Sequence, residues 1–314
     1  MGAMSQAWKP HRPVQIVAGT PPGGGLDRVA RAIARALDQA PLIDVAVEIV
    51  NVPGGGARRA WTHFIDDHPG DAHVLGVSSP NLTTDFLVGA ATFEHSKYVP
   101  IATLVTEYIA FAVKSDSPMK TGADLLFRLG HEPASVTAAL STARGNPNHI
   151  ALAKLTRQAG GNVNAPGIRI FDSALDAVAD VVAGGADLCA VTAASVLGEF
   201  NAGRIRLLGI SAPERLSGPF AATPTWKEQS ADCIIGAWRG VTGPAGIAPE
   251  QVAYWAAMFK ALTQQPIWRE ELSRLCWSPM FKDGAALCEY LDNERTEFVA
   301  MLGDLGLLSR SAAA

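Results

Sequence analysis

The sequence predicts an α/β protein of two lobes, each a parallel sheet with covering helices, joined by two chain crossings. Three observations lead there. Short β-branched runs alternate with segments of helical period through the first two thirds of the chain. Glycine-rich turns follow the strands and open the helices. The last third is helical and too thin to form a domain alone, so it returns to cover the first lobe. The 314 residues, 48% hydrophobic and 18% charged, suffice for two cores of ordinary size.

The elements follow in order. Residues 14–18 (VQIVA) form the first strand, broken by Gly23, Gly24 and Gly25. Val29, Ile33 and Leu37 then recur every four residues, one face of a helix. Residues 45–50 form the next strand, followed by Gly54 to Gly56 and a helix through Asp66, and 74–77 form the third strand. Such a βαβ series favours a parallel sheet. The second series begins after Ser115: helix 121–129, strand 136–140, helix 147–159 with Pro147 in its first turn, strand 168–171, helix 174–183, strands 188–192 and 205–210. The last third carries helices over 249–262, 268–275 and 285–302. The lobes are therefore expected at 8–110 and 111–235, with 236–308 returning to the first. The crossings fall near 108–114 and 234–241. Residues 1–7 and 309–314 read as a tag remnant or loose termini.

Composition excludes several functions. The formal net charge is −4 and the pI about 6.0, without the basic excess of a nucleic-acid surface. No run approaches the ~20 apolar residues of a membrane-spanning helix. Residues 1–10 (MGAMSQAWKP) lack a charged start followed by an apolar block, so the chain reads as a mature domain whose export signal is removed. Cys189, Cys233, Cys276 and Cys288 show neither C-x-x-C spacing nor a metal pattern with histidine. Cys189 reads as a small buried hydrophobe, whereas Cys276 and Cys288 could pair in an oxidising compartment. There is no G-x-S-x-G elbow and no H-E-x-x-H, and His131-Glu132 is followed by Pro133. No cofactor motif is present, the first glycine loop lacking the G-x-G-x-x-G spacing.

The candidate chemistry lies at strand ends. Pro21 to Asp27 (PPGGGLD) lets backbone approach a ligand at Gly23, Gly24 and Gly25, while the following helix start favours an anion. The same loop also reads as a tight turn with no ligand, and Asp27 can cap the helix or tie down the loop. Asn51 to Ala57 (NVPGGGA) and Ser78-Ser79-Pro80-Asn81 sit at equivalent strand ends, where open α/β sheets bind ligands. On the second lobe, Ser141 to His149 (STARGNPNH) offers hydroxyl and amide groups at a helix start. His149 is expected neutral there, and a strut role is favoured over ligand contact. Phe171-Asp172-Ser173 and Thr192 to Ser195 complete that edge; Thr192 and Ser195 suit a carboxylate, though capping explains Ser195 equally well. Arg239, on the second crossing, reads either as a fork for a carboxylate or as a rim residue.

The ordered set PPGGGLD (21–27), NVPGGGA (51–57), HPGDAHVLGVSSPNL (68–82), EYIAFAVKSDSP (107–118), GNPNHIAL (145–152), GGADLCAVTAAS (184–195), PTWKEQ (224–229) and WRGVTGPAG (238–246) resembles the tripartite tricarboxylate transporter substrate-binding proteins, the TctC-like or Bug receptors. The resemblance runs from about Val14 to Leu307. It implies a type II periplasmic-binding-protein fold with a double crossover hinge, export to the periplasm, and an ion-driven pair of integral membrane partners. It implies ligands that are small carboxylates: di- and tricarboxylates, acidic amino acids or aromatic acids. It places contacts at Gly23 to Gly25, at Ser78 and Ser79, and at Thr142, Asn146 and Asn148. Two positions depart from the pattern. Asp172 stands where a lysine is usual, and Arg144 where the residue is small or apolar. If both face the cleft, the ligand carries an amine or hydroxyl as well; if both face solvent, the swaps have no consequence.

The expectation is thus a monomeric periplasmic receptor that is not an enzyme, binds a small carboxylate through Gly23, Gly24, Gly25, Asp27, Ser78, Ser79, Asn81, Thr142, Arg144, Asn146, Asn148, Phe171, Asp172, Thr192 and Arg239, needs no metal or cofactor, and has no nucleic-acid partner. Competing readings are a sensor that reports occupancy to a signalling partner, and an enzyme on the same fold, for which only His149, Asp27 and Asp172 are placed as a base.

Overall fold

The computed structural model describes residues 8–91 and 97–309. The end segments 1–7 and 310–314 lie outside them. In chain order the elements are β1 (Val14–Ala18), α1 (Gly25–Gln39), β2 (Val47–Asn51), α2 (Arg58–Asp67), β3 (Val74–Ser78), α3 (Asn81–Leu87) and β4 (Tyr98–Lys114). Next come α4 (Gly122–His131), β5 (Thr137–Ser141), α5 (Pro147–Gln158), β6 (Gly167–Phe171), α6 (Ala174–Val182), β7 (Leu188–Thr192), α7 (Ala193–Asn201) and β8 (Ile205–Ile210). The chain closes with β9 (Gly236–Pro244), α8 (Pro249–Thr263), α9 (Pro266–Leu275), β10 (Ser278–Asp283) and α10 (Gly284–Asp304).

In the first lobe, β1 lies parallel between β2 and β3. Strand β9 then runs antiparallel to β3, and β4 antiparallel to β9. In the second lobe, β5 lies parallel between β6 and β7. The two sheets meet on β4. Up to Tyr108 it pairs with β9 and β10; from Ile109 it pairs with β7 and, from Ala110, with β8. The hinge is therefore a shared strand with a second strand beside it. Gly236 stands opposite Tyr108, and a Cβ there would come 2.4 Å from Thr106 Oγ1, so only glycine lets the two crossing strands approach.

Packing follows the sequence periodicity. Val29, Ile33 and Leu37 on α1 turn into the first core with Val14, Ile16 and Phe64. Each such side chain, fully buried, contributes about 1.5–3 kcal/mol. Helices α8 and α9 cover the same core through Trp255, Phe259 and Trp268, and Trp255 donates to the Ala72 carbonyl at 2.9 Å. The second lobe packs one cluster on each sheet face, around Phe111, Leu140 and Trp226 and around Val178, Val196 and Phe220.

Two features differ from the sequence reading. Residues 278–283 form β10, against β4, where only helices are expected. And α10 straddles the lobes: its last turns place Phe298 and Leu302 in the second-lobe core with Ile150 and Leu155. Nearer its start, Glu294 accepts from Trp238 Nε1 at 2.8 Å and from Tyr290 Oη at 3.2 Å, which ties the helix to the crossing strand β9. Burial pushes the Glu294 carboxyl up to about 7, although both hydrogen bonds oppose the shift. All four cysteines are free; Cys276 is buried and Cys288 exposed, so the pairing considered for them is not made.

Candidate ligand-binding cleft

The first wall is built by the turn after β1. Asp27 is fully buried and organises it. Its carboxylate accepts from Gly23 N at 2.7 Å, Asn51 Nδ2 at 2.9 Å and Arg31 Nε at 2.8 Å, while its own N–H donates to Thr20 Oγ1 at 3.0 Å. Burial raises this carboxyl, but the Arg31 and Asn51 bonds and the Gly23 amide outweigh it and hold it below the usual range. With both oxygens engaged, Asp27 does not line the cleft. It shapes the loop from beneath, and of the expected site residues it is one that the structure places outside the cavity wall. Gly24, Gly25 and Leu26 do line the cleft; Thr20 takes up the Asp27 N–H, but Gly24 at the N-cap has no side chain to cover the amides before it, so the positive end of a 15-residue helix opens there.

Behind that helix tip lies a buried charge cluster. Arg239, its side chain 11% exposed, donates through Nε to Glu107 Oε1 at 2.8 Å. Glu107 is fully buried in β4; burial raises its carboxyl, but the charges of Arg239 and Arg28 and the Arg239 hydrogen bond hold it below the carboxylate range. Arg28 reaches the Gly23 carbonyl at 3.1 Å and, across the gap, Ser195 Oγ at 3.2 Å. A Cβ added at Gly25 would stand 3.5 Å from Arg239 Nη2 and 4.0 Å from Arg28 Nη2. Both guanidinium ends therefore converge on the space that this glycine leaves free.

The opposite wall comes from the second lobe. Asn146 caps α5, accepting from His149 N at 3.2 Å and donating to the Ser141 carbonyl at 2.7 Å and Thr142 Oγ1 at 2.8 Å. Asn148 donates to Ser141 Oγ at 2.9 Å. Thr142 holds φ +68°, a costly conformation for a β-branched residue, stabilised by its N–H on the Phe171 carbonyl at 2.8 Å. His149 Nδ1 accepts from Gly145 N at 3.0 Å, and burial, helped by the Arg144 charge, pushes the ring down to about 4. It is a neutral strut turned away from the cleft. Asn81 Nδ2 meets Thr142 Oγ1 at 3.3 Å, a second hydrogen bond between the walls.

Between the walls is a cavity of about 590 Å³. Of the expected residues, Gly23, Gly24, Gly25, Ser79, Asn81, Thr142, Asn146, Asn148, Asp172, Thr192 and Arg239 line it, as does Ser195. Four do not. Ser78 is buried beneath it in a small recess with Trp238. Phe171 packs in the second-lobe core under Arg169. Arg144 is exposed, nearest the Ile168 carbonyl. Asp27 is the fourth. The two unusual positions thus part company, Asp172 facing the cleft and Arg144 facing solvent. Arg28, Arg59, Leu175 and Asp176 also line the cavity and were not anticipated. Arg28 had a signal: a cation in the first turns of a helix opposes the dipole unless a negative group is to be placed there. The glycines 54–56 of the second loop line it too.

A cleft at the carboxyl ends of parallel strands in two hinged α/β lobes, with two guanidinium groups converging on an open helix start, has the form of a solute-binding protein. The chain belongs to the tripartite tricarboxylate transporter family receptors, whose model matches residues 28–307. This family consists of periplasmic receptors, not enzymes. The chain is 28% identical over 241 residues to a UPF0065 protein of the tcbD-tcbE intergenic region in a Pseudomonas species, covering 76% of this chain and 69% of that one. It shares its fold with R. palustris Rpa4515 with adipate (TM-score 0.84, 19% identity, 95% and 98% coverage). The same holds for MatC of Rhodopseudomonas palustris with bound malate (TM-score 0.77, 20% identity, 94% and 100% coverage). Among the described residues no helix is long and apolar enough to cross a membrane, and no cluster of His, Cys, Asp or Glu could hold a metal ion.

Proposed function

We propose that the protein is a periplasmic receptor that captures a small carboxylate between its lobes and delivers it to the membrane subunits of a tripartite tricarboxylate-type transporter. The observation that carries this reading is the convergence of Arg239 and Arg28 on the open α1 tip at Gly25. A carboxylate there accepts from backbone N–H groups and from two guanidinium groups. Gly23, Gly24, Ser79, Asn81, Thr142, Asn146, Asn148 and Thr192 supply the surrounding contacts. The lobes that close over it are 8–110 with the return through α9, and 111–235, with α10 attached to both. Binding of adipate and malate by two proteins of the same fold supports the ligand class.

Charge-assisted hydrogen bonds contribute about 1.5–3 kcal/mol each, so a few, offset by ordering and desolvation, give affinity in the micromolar range, about −8 kcal/mol. Calorimetry with a panel of small carboxylates tests the reading. Saturable binding of at least one is expected. Silence across the panel, with binding of a neutral sugar or peptide, refutes it.

A further inference from the structure

The cavity has two ends of opposite charge. At the inner end Arg28 and Arg239 face one buried counter-charge, Glu107, which leaves one positive charge over. Neither Asp172 nor Asp176 makes an ion pair or hydrogen bond with Arg28 or Arg239, whose partners are Gly23, Ser195 and Glu107. Those two carboxylates line the cavity from the start of α6, with Leu175, 55% exposed, between them in sequence. Asp176 is partly engaged, accepting from Ser173 Oγ at 2.7 Å. Asp172, by contrast, is exposed in the cavity wall with no hydrogen bond or ion pair among the described residues. Even with the exposed Arg59 counted against them, this lining is left with one negative charge.

We infer that the ligand is a zwitterion, with one carboxylate seated at Gly25, Arg239 and Arg28 and an ammonium group at its far end facing Asp172. A second carboxylate placed there would meet an unpaired like charge, whereas an ammonium gains a partner. The apolar stem between the two groups lies along Leu26, Ala174 and Leu175, which also line the cavity.

This inference rests on the carboxylate reading above and is tested separately from it. Calorimetry compares probes of matched length: δ-aminovalerate against glutarate, ε-aminocaproate against adipate, with valerate as the tail-less reference. The amino acids are expected to bind about fivefold or more tighter than the matched diacids, the margin expected for an exposed charge turned from repulsive to attractive. Asp172→Lys, at an exposed position that leaves the fold intact, reverses the order. Asp172→Asn abolishes the preference over valerate, while Gly25→Ala, which fills the inner end, weakens all five probes together. Equal or tighter binding of the diacids by the wild type overturns the zwitterion and leaves the carboxylate reading standing. Failure of all five probes, with a neutral solute bound instead, overturns both. An unchanged order in Asp172→Lys also overturns the inference, because the selectivity then does not come from this carboxylate.

Discussion

Replacing Glu107 by Gln keeps the side-chain volume and one acceptor oxygen for Arg239 Nε, but removes the buried negative charge between Arg239 and Arg28. Breaking a buried ion pair by removing one partner costs about 3–5 kcal/mol. Because the amide still accepts a hydrogen bond, the lower end, about 3 kcal/mol, is expected. At roughly 2 °C per kcal/mol for a chain of this size, the melting midpoint of the empty protein falls by about 6 °C. The ligand carboxylate then supplies the missing charge, so ligand raises the midpoint of Glu107→Gln more than that of the wild type, and binds it more tightly. Glu107 is held below 4.5, its ordinary value. Its contribution is therefore present above pH 4.5 and is lost as pH falls further, so the two proteins converge in acid. Thermal scans with and without carboxylate, at neutral pH and in steps downward from pH 4.5, read all three effects. Equal midpoints for the two empty proteins at neutral pH would show that Glu107 is not the counter-charge, and the charge count of the inner end would fail with it.

Asp27→Ala strips the glycine turn of the acceptor for Gly23, Asn51 and Arg31; a loss of about 3 kcal/mol by denaturant titration is expected, with weaker carboxylate binding although Asp27 lies outside the cavity wall. Glu294→Gln flattens the pH dependence of stability. The wild-type carboxyl, raised from 4.5 to about 7, loses about 3 kcal/mol as pH climbs through that window, and melting at pH 5 and pH 8 compares the two proteins. Asn81→Ala removes one hydrogen bond between the walls, worth about 1 kcal/mol. Stopped-flow should show release about fivefold faster with little change in capture, and equal change in both rates would place Asn81 outside the closed state.

The strands and helices on either side of the glycine turns were legible because their signals are local. Val29, Ile33 and Leu37 repeat at helical spacing, and β1 occupies 14–18 as read. Strand β10 was hidden because SPMFKD has neither alternation nor a β-branched run; it exists by pairing with β4. Strand β4 carries Pro100, and its second half follows a different set of neighbours from its first, which no local pattern encodes. The site divides in the same way. Glycine loops and capping residues such as Asn146 announce themselves in the chain. Which of Asp27, Asp172, Arg28 and Arg144 points inward depends on partners far away in sequence, such as Asn51 for Asp27 and Ser195 for Arg28.

The passage of one strand through both sheets has a mechanical consequence. Opening the cleft cannot proceed by letting two bodies drift on a loose tether, because β4 must stay hydrogen-bonded on each side of Tyr108 while β9 bends with it and the far end of α10 remains docked on the second lobe. The motion left to the molecule is a small flexure and twist of a double-stranded ribbon, with an elastic cost that rises with angle. A chain built this way has a narrow range of apertures, set by how far the paired strands bend beside Tyr108 before their ladder bonds are lost.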